Sequence, residues 1–141
     1  MHTLRHVIQR LHVIHAAPSA TVFDVAALMS EARIGCIPVL DGESLVGIFS
    51  ERDLMTRVIV EGKDPHTTPV GSVMTREVTT ASLDDRVERC LDKMHGRGCR
   101  HLPVVADGRV IAMISMRDLM RDEIEEQVEE IRELRAYIHQ A

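Results

Sequence analysis

The pattern Ser-x-Arg-Asp-Leu-Met occurs twice in this chain and combines groups that suit a phosphorylated ligand. Its functional members are Ser50, Arg52, Asp53, Ser115, Arg117 and Asp118. The hydroxyl and the guanidinium suit a phosphate, and the carboxylate can accept hydrogen bonds from two vicinal hydroxyls, as a ribose presents them. Each copy follows an apolar run, where a strand ends and the next helix presents unpaired N–H groups to an anion.

The same residues also have a purely structural interpretation. Serine followed three residues later by aspartate, ahead of an apolar run, fits a capping box. Ser50 and Ser115 would then cap two helices, with Asp53 and Asp118 near the positive end of each helix dipole. Capping and ligand binding do not exclude each other, so the motif can serve both roles.

The composition argues against a nucleic-acid partner. The net charge is −5, 45% of the residues are hydrophobic, and only 2% are aromatic. A nucleic-acid surface needs a basic stripe, and base stacking needs more aromatic platforms than Phe23, Phe49 and Tyr137 provide. We expect an aliphatic core and no nucleic-acid binding.

The cysteines and the hydropathy pattern favour a protein of the reducing cytoplasm. Three cysteines, Cys36, Cys90 and Cys99, are too few and too odd in number for a disulfide framework, and we expect them to be small buried hydrophobes. The first residues do not resemble a secretory signal. No apolar run approaches the length needed to cross a membrane. The sequence therefore predicts a cytoplasmic protein without membrane contact.

The repeated motif belongs to a longer internal duplication. A shift of 65 positions aligns about forty residues without a gap, including Ile37–Val39 with Leu102–Val104. The Asp-Gly turns at 41–42 and 107–108 are displaced by one residue. The chain therefore contains two copies of one structural unit.

Each copy is predicted to fold as β-α-β-β-α. A short strand (13–16 and 78–81) precedes a helix for which Ser19 and Asp84 are the expected N-caps. An apolar hairpin closed by the Asp-Gly turn comes next, followed by a closing helix. The predicted segments are an N-terminal amphipathic helix (1–12), the first repeat (13–62), a linker (63–77), the second repeat (78–120) and a helical extension (121–141).

The C-terminal extension carries an apolar stripe on an acidic helix. Its apolar members are Ile124, Val128, Ile131, Leu134 and Ile138. The stripe could fold back on its own domain, but we favour a partner helix and hence a homodimer. The N-terminal helix, with Leu4, Val7, Ile8 and Leu11 on one face, could join the same seam.

The two repeats resemble a tandem pair of CBS (cystathionine-β-synthase) domains, the Bateman module of stand-alone bacterial-type CBS proteins. The resemblance is carried by "IPVLDG…LVGIFSERD" and "HLPVVADG…VIAMISMRD" and by the openings "VIHAAPSATVFDVAALM" and "VTTASLDDRVERCLDKM". It implies an α/β fold in which two units pack through their sheets about a pseudo-twofold axis. It also implies adenine-nucleotide ligands in the clefts: AMP first, with ADP, ATP, NAD(H) or S-adenosylmethionine as other candidates.

The resemblance also implies roles for particular residues. Ribose binding falls on Asp53 and Asp118. Phosphate binding falls on Ser50, Arg52, Ser115, Arg117, Arg100 and His101. Base binding falls on His15, Ala16, Ile37, Pro38, Thr80, Ala81, Leu102 and Pro103. The first copy has no basic pair matching Arg100 and His101, so the two clefts differ. Gly47 fits the family preference, whereas the methyl group of its counterpart Ala112 would hinder a ligand at the second motif.

Metal and enzyme interpretations fit the sequence less well. His95, Cys99 and His101 lie close together, but no further pair completes a zinc set, so no metal is predicted. No nucleophile with an adjacent base and no Walker-type loop is present, so we expect no enzyme. The sequence predicts a sensor that passes nucleotide occupancy to an unidentified regulated protein. The alternative is an interaction scaffold with empty clefts that acts through its C-terminal helix.

Overall fold

The structure, a computed structural model, describes residues 2–8 and 13–140 and contains two similar α/β units. In chain order the elements are helices α1 (Leu4–Val7) and α2 (Val22–Ala32), strands β1 (Cys36–Asp41) and β2 (Ser44–Ser50), helices α3 (Glu51–Asp53) and α4 (Val87–Arg97), strands β3 (His101–Ala106) and β4 (Arg109–Ser115), and helix α5 (Met116–Gln140). Helix α3 continues as a π-helical segment, Leu54–Ile59. The predicted mixed α/β class and the long C-terminal helix are confirmed.

Two antiparallel hairpins form the centre of the units. Cys36 pairs with Ser50 in the first, and His101 pairs with Ser115 in the second. The strands expected at 13–16 and 78–81 are reduced to single parallel bridges, Ala16 to Val39 and Ala81 to Val104. In the first copy the pairing stops because the chain turns at Pro18, two residues beyond the bridge.

The one-residue displacement of the Asp-Gly turns has a conformational cause. In the first hairpin Asp41 ends β1 and Gly42, with φ of 62°, begins the turn. In the second hairpin Asp107 and Gly108 form the turn together, with φ of 52° and 76°. Positive φ at both central residues is typical of a type I′ turn, which Asp-Gly favours. The two hairpins therefore use different turns to join strands of equal length.

The expected helix caps Ser19 and Asp84 are wrong by two residues. Helix α2 is capped by Thr21, whose hydroxyl accepts a hydrogen bond from the Asp24 N–H at 3.2 Å. Arg86 occupies the N-cap position of α4 and makes no side-chain cap bond. Asp84 instead pairs with Arg5 Nε at 2.7 Å, so its carboxylate serves a contact with the N-terminal segment.

The segment that precedes each copy packs on the other copy. We call residues 2–8 and 65–75 the lead-in segments. The carbonyl of His2 accepts the first N–H of α4, from Val87, at 3.1 Å, and the carbonyl of Thr68 accepts that of α2, from Val22, at 2.9 Å. Leu4 is fully buried in the core of the second copy. The two copies are therefore interlocked through their lead-in segments.

The first lead-in segment corrects the expected N-terminal helix over 1–12. Helix α1 is a single turn, and Ile8 already has an extended backbone with φ of −80° and ψ of 111°. The amides of Leu4 and Arg5 donate to the carbonyls of Asp85 and Leu83. These bonds anchor the helix start to the second copy. Leu11 lies outside the described residues.

The core consists of two mainly aliphatic clusters, one in each copy, and the first also contains the fully buried Phe49. The first includes Val22, Val25 and Met29 of α2, and the second includes their counterparts Val87, Cys90 and Met94 of α4. The expectation of buried cysteines is confirmed for Cys36 and Cys90, whereas Cys99 is only partly buried. In the part of the chain that the structure describes, no helix is both long and apolar enough to span a bilayer.

Candidate functional site

A cleft of about 1050 Å³ lies between the two copies. The first copy contributes the end of β2 and the start of α3, and the second contributes residues 77–79 and 97–101. Clefts that hold small organic ligands usually have about 300–1,000 Å³. The volume is therefore sufficient for a nucleotide-sized ligand in contact with both copies.

Asp53 forms the buried polar centre of this cleft. Its residue exposure is only 7%. One carboxylate oxygen accepts hydrogen bonds from the Ser50 N–H and hydroxyl, both at 3.0 Å, and the other accepts one from the Thr75 hydroxyl at 3.1 Å. The Arg57 guanidinium lies 3.5 Å from the same carboxylate. A ribose could reach Asp53 only by exchanging its hydroxyls for the Thr75 and Arg57 contacts.

The second motif has the same cap but a different environment. The Ser115 N–H donates to Asp118 Oδ2 at 3.1 Å, and the Asp118 N–H donates to Ser115 Oγ at 3.1 Å. Asp118 is exposed, and Ser115, Arg117 and Asp118 do not line the large cleft. The capping interpretation therefore describes both motifs, but only the first motif also faces the cleft.

The backbone N–H groups expected to bind an anion are largely engaged. The Glu51 N–H donates to the Gly35 carbonyl at 3.0 Å, and the Asp53 N–H donates to the Ser50 hydroxyl at 3.2 Å. The Met116 N–H of the second copy donates to the Arg100 carbonyl at 2.7 Å. The helix starts therefore offer less to a phosphate than the sequence suggested, and cationic side chains must do more.

The cleft carries more cationic than acidic side chains. Its arginines are Arg52, Arg57, Arg97 and Arg100, and its acidic residues are Glu51, Asp53 and Glu77. Four of the six predicted phosphate residues thus lie in the same cleft as Asp53, namely Ser50, Arg52, Arg100 and His101. Arg57 and Arg97 were missed, although Arg57 lies one helical turn beyond Asp53. An excess of guanidinium groups favours an anionic ligand.

His101 is half-buried at the start of β3, and burial lowers its pKa below the usual value. The Asp118 and Glu51 carboxylates act in the opposite direction, and Arg100 adds to the lowering. Burial prevails, so His101 is neutral at pH 7. At that pH it can contribute a hydrogen bond to a phosphate but not a positive charge.

The eight predicted base-binding residues do not line the large cleft. Ala16, Ala81, Ile37 and Leu102 are buried in the two cores. The cleft is lined instead by residues one or two positions earlier in the chain, namely Cys36, Val78, Thr79 and Arg100. His15 lines a smaller cavity beside the hairpin turns, with Gly42 and Arg109. The cleft is thus lined by the segments that were expected to bind the base, but the residues that line it are neighbours of the predicted ones.

The absence of a side chain at Gly47 lets the linker pack closely against β2. The sequence comparison of the two copies did not reveal this contact. A Cβ atom built at Gly47 would lie 2.5 Å from Met74 Sδ and 2.8 Å from the Thr75 carbonyl oxygen. Thr75 forms an antiparallel bridge with Ile48 at this point. The preference for glycine at 47 is therefore explained by the close approach of the linker. The methyl group of Ala112 is itself buried.

The Cys36 thiol lines the cleft, whereas the candidate metal cluster does not. Burial, together with the nearby Asp53 carboxylate, raises the pKa of the Cys36 thiol to about 12, so it stays protonated at neutral pH and is a poor nucleophile. Within residues 2–8 and 13–140 the candidate metal cluster is His2, Asp122 and Glu126, which does not include His95, Cys99 or His101.

Comparison with known proteins gives a consistent result. The profile of the CBS domain matches residues 4–60 and 70–125. The mitochondrial CBS domain-containing protein CBSX3 of Arabidopsis thaliana is 34% identical over 123 residues, which cover 84% of this chain and 60% of that protein. The chain thus spans somewhat less than two thirds of the length of that relative.

Solved structures agree with the sequence matches. A putative signal-transduction protein with CBS domains from Burkholderia ambifaria MC40-6 superimposes with a TM-score of 0.85 at 28% identity, over 89% of this chain and 96% of that one. The CBS domain pair of protein MJ0100, solved with 5′-methylthioadenosine and S-adenosyl-L-methionine, gives 0.77 at 24% identity, over 85% and 98%. This last likeness concerns the fold alone.

Proposed function

The chain belongs to the CBS domain family, and from that premise we propose that it is a regulatory module that binds an adenine nucleotide between its two copies. The observation that carries the proposal is the cleft in which buried Asp53 lies among four arginines contributed by both copies. Members of this family are generally regulatory modules, and we propose no catalytic role for this chain.

The ligand would contact groups from both repeats at once. Asp53 would bind the ribose hydroxyls, and Arg52, Arg97 and Arg100 would bind the phosphate. The backbone at 78–79, which lines the cleft, would contact the base. The MJ0100 pair, which has the same fold, was solved with two adenosine derivatives. AMP is the first candidate, followed by ADP, ATP, NAD(H) and S-adenosylmethionine.

A ligand bound in the cleft would change the angle between the two copies, because it bridges residues that belong to different units. We propose that a partner protein senses this change. The motif at Ser115, Arg117 and Asp118 would form a weaker second site, since its carboxylate is exposed to solvent. The two sites would therefore fill at different concentrations.

Thermal melting with each candidate ligand tests the proposal directly. A ligand present at 100 times its dissociation constant adds about 2.7 kcal/mol to the free energy of unfolding, so the melting temperature should rise clearly. No rise with any adenosine compound would contradict ligand binding. The exposed face of α5 would then favour the alternative, an interaction scaffold.

A matched set of variants tests the ribose assignment by calorimetry. Asp53→Ala removes charge-assisted hydrogen bonds and should weaken AMP binding by about 1.5–3 kcal/mol, roughly tenfold to more than a hundredfold. Asp118→Ala should reduce only the weaker binding event. Thr75→Val removes a partner of Asp53 but keeps the carboxylate, so it should preserve binding. If the double variant Asp53→Ala, Asp118→Ala bound AMP as well as the parent, the assignment would be wrong.

A further inference from the structure

Helix α5 projects beyond the two copies with an uncovered apolar face. It runs without interruption from Met116 to Gln140, which corresponds to about 37 Å. Its apolar side chains are between 50% and 74% exposed from Ile124 onward; they are Ile124, Val128, Ile131, Leu134, Tyr137 and Ile138. The structure therefore contradicts a fold-back of this stripe on its own domain for the described residues.

The base of the helix is fixed to the body of the molecule. Leu119 is fully buried in the second core, and His2 Nδ1 lies 3.0 Å from both carboxylate oxygens of Asp122. All residues described from Gln127 onward are exposed. The projecting part thus has a defined direction, and its apolar face is presented to other molecules.

The sequence of the projecting part follows a heptad. Ile124, Ile131 and Ile138 recur every seven residues, and Leu134 occupies the second apolar position of the same repeat. In parallel coiled coils, isoleucine at the first apolar position of the heptad and leucine at the second favour two strands. Gln127 is the polar exception in this seam. The pattern therefore fits a two-helix partner arrangement.

The charges complement a second copy of the same helix in parallel orientation. In this heptad, Glu130 comes directly before the seam residue Ile131, and Arg135 comes directly after the seam residue Leu134. These are the two flanking positions that face each other across a parallel coiled coil. Among residues 2–8 and 13–140 neither has an intramolecular ion pair, whereas Arg132 pairs with Glu129 along the helix. Glu125, Glu126, Glu129 and Glu133 lie away from the seam. Two copies would thus form two Glu130–Arg135 pairs without bringing the acidic face together.

We propose that α5 forms a parallel coiled coil with α5 of a second copy of this chain, with Ile124, Ile131, Leu134 and Ile138 in the seam. An antiparallel pair would not place Glu130 beside Arg135 and so gains nothing from these charges. The seam is separate from the cleft, so this inference does not depend on the ligand proposed above. It names the surface and the orientation of the dimer.

Sedimentation and light scattering of the full chain, over a range of concentrations, test the seam. The double substitution Ile131→Glu, Leu134→Glu should raise the dissociation constant of the dimer at least tenfold. The control Ala136→Glu, Gln140→Glu adds the same charge outside the seam and should leave the dimer intact. Circular dichroism and melting would establish that both variants are folded. A parent chain that is monomeric throughout, or a dimer unaffected by the seam variant, would overturn the proposal.

Charge reversal tests the parallel orientation. Glu130→Arg and Arg135→Glu should each raise the dissociation constant by about threefold to thirtyfold, because each replaces two attractive pairs with repulsive ones. The double variant Glu130→Arg, Arg135→Glu restores the attraction and should return the dissociation constant to the parent value. Single effects that simply add in the double variant would overturn the parallel register.

Discussion

At the scale of single residues, the same short motif has two different environments. Asp53 and Asp118 make equivalent bonds to the serine three residues earlier, yet the first is buried and the second is exposed. The difference comes from the linker, which brings Thr75 to the carboxylate of Asp53. A carboxylate surrounded by donors in a cleft can recognise a ligand, whereas one in water mainly stabilises its helix.

The contact between Thr75 and Asp53 gives a prediction on stability. Thr75→Val removes a hydrogen bond to a partly shielded carboxylate and should lower the free energy of unfolding by about 1–3 kcal/mol. Urea denaturation measures this loss. Thr56→Val serves as the control, because its hydroxyl bonds the Arg52 carbonyl on an exposed helix face, and it should change stability much less. Equal losses in both variants would contradict the role given to Thr75.

His101 gives a prediction on pH dependence. Its pKa in the folded protein is lowered chiefly by burial, whereas the unfolded chain has the ordinary value near 6.5. The unfolded state therefore takes up a proton more readily as the pH falls below that value, and the contribution of neutral His101 to stability is lost. His101→Gln should reduce the loss of stability between pH 7.5 and pH 5, as measured by urea denaturation. An unchanged pH profile would contradict the lowered pKa of the half-buried His101.

At the scale of elements, the duplication made much of the fold predictable. Matching apolar positions recur in α2 and α4, and Val22, Val25, Met29 and their counterparts Val87, Cys90 and Met94 all lie in the two cores. The caps were less predictable, because backbone bonds from distant lead-in segments determine where α2 and α4 begin. The first strand was also less predictable, because the turn at Pro18 reduces it to a single bridge at Ala16. Arg97 in the cleft was missed for the same reason: no local pattern shows which residues of one copy face the other.

The packing of the linker on β2 gives a prediction for a pair of glycines. Gly47→Ala places a methyl group against the Thr75 carbonyl and Met74, and should lower the free energy of unfolding by about 1–3 kcal/mol. Gly96→Ala lies in α4 with no atom within 4 Å of its added Cβ. It should raise stability by about 0.5–1 kcal/mol, since alanine has the higher helix propensity. In both thermal and urea melts the two substitutions should change stability in opposite directions. A Gly47→Ala variant of unchanged stability would contradict the close approach.

At the scale of the whole molecule, the interlocked lead-in segments make one folding unit of the two copies. Leu4 completes the core of the second copy, and Val70, Val73 and Met74 complete that of the first. Since each core depends on a segment attached to the other repeat, we expect the copies to unfold together in one transition. The ligand cleft lies between them, so its geometry depends on the same interlock.

Leu4 tests this dependence. Leu4→Ala leaves a cavity in the second core and should lower the free energy of unfolding by about 2–5 kcal/mol, although the residue belongs to a single helical turn near the N-terminus. Ile59→Ala is the control, because Ile59 is 61% exposed and its loss should change stability by no more than about 0.5 kcal/mol. A similar small effect for Leu4→Ala would mean that the segment does not contribute to the core.

The exchange of lead-in segments also bears on how such a chain can be divided. If the backbone were cut at the exposed turn near Gly62, each fragment would keep the lead-in segment that packs on the other fragment. Each would lack the lead-in segment that completes its own core. Neither fragment could bury its interior alone, so the two should recombine when mixed, as the halves of a split protein do. Two identical fragments could not complete each other's cores in this way. A designer who wishes to transplant one repeat must therefore also transfer the lead-in segment that packs on it.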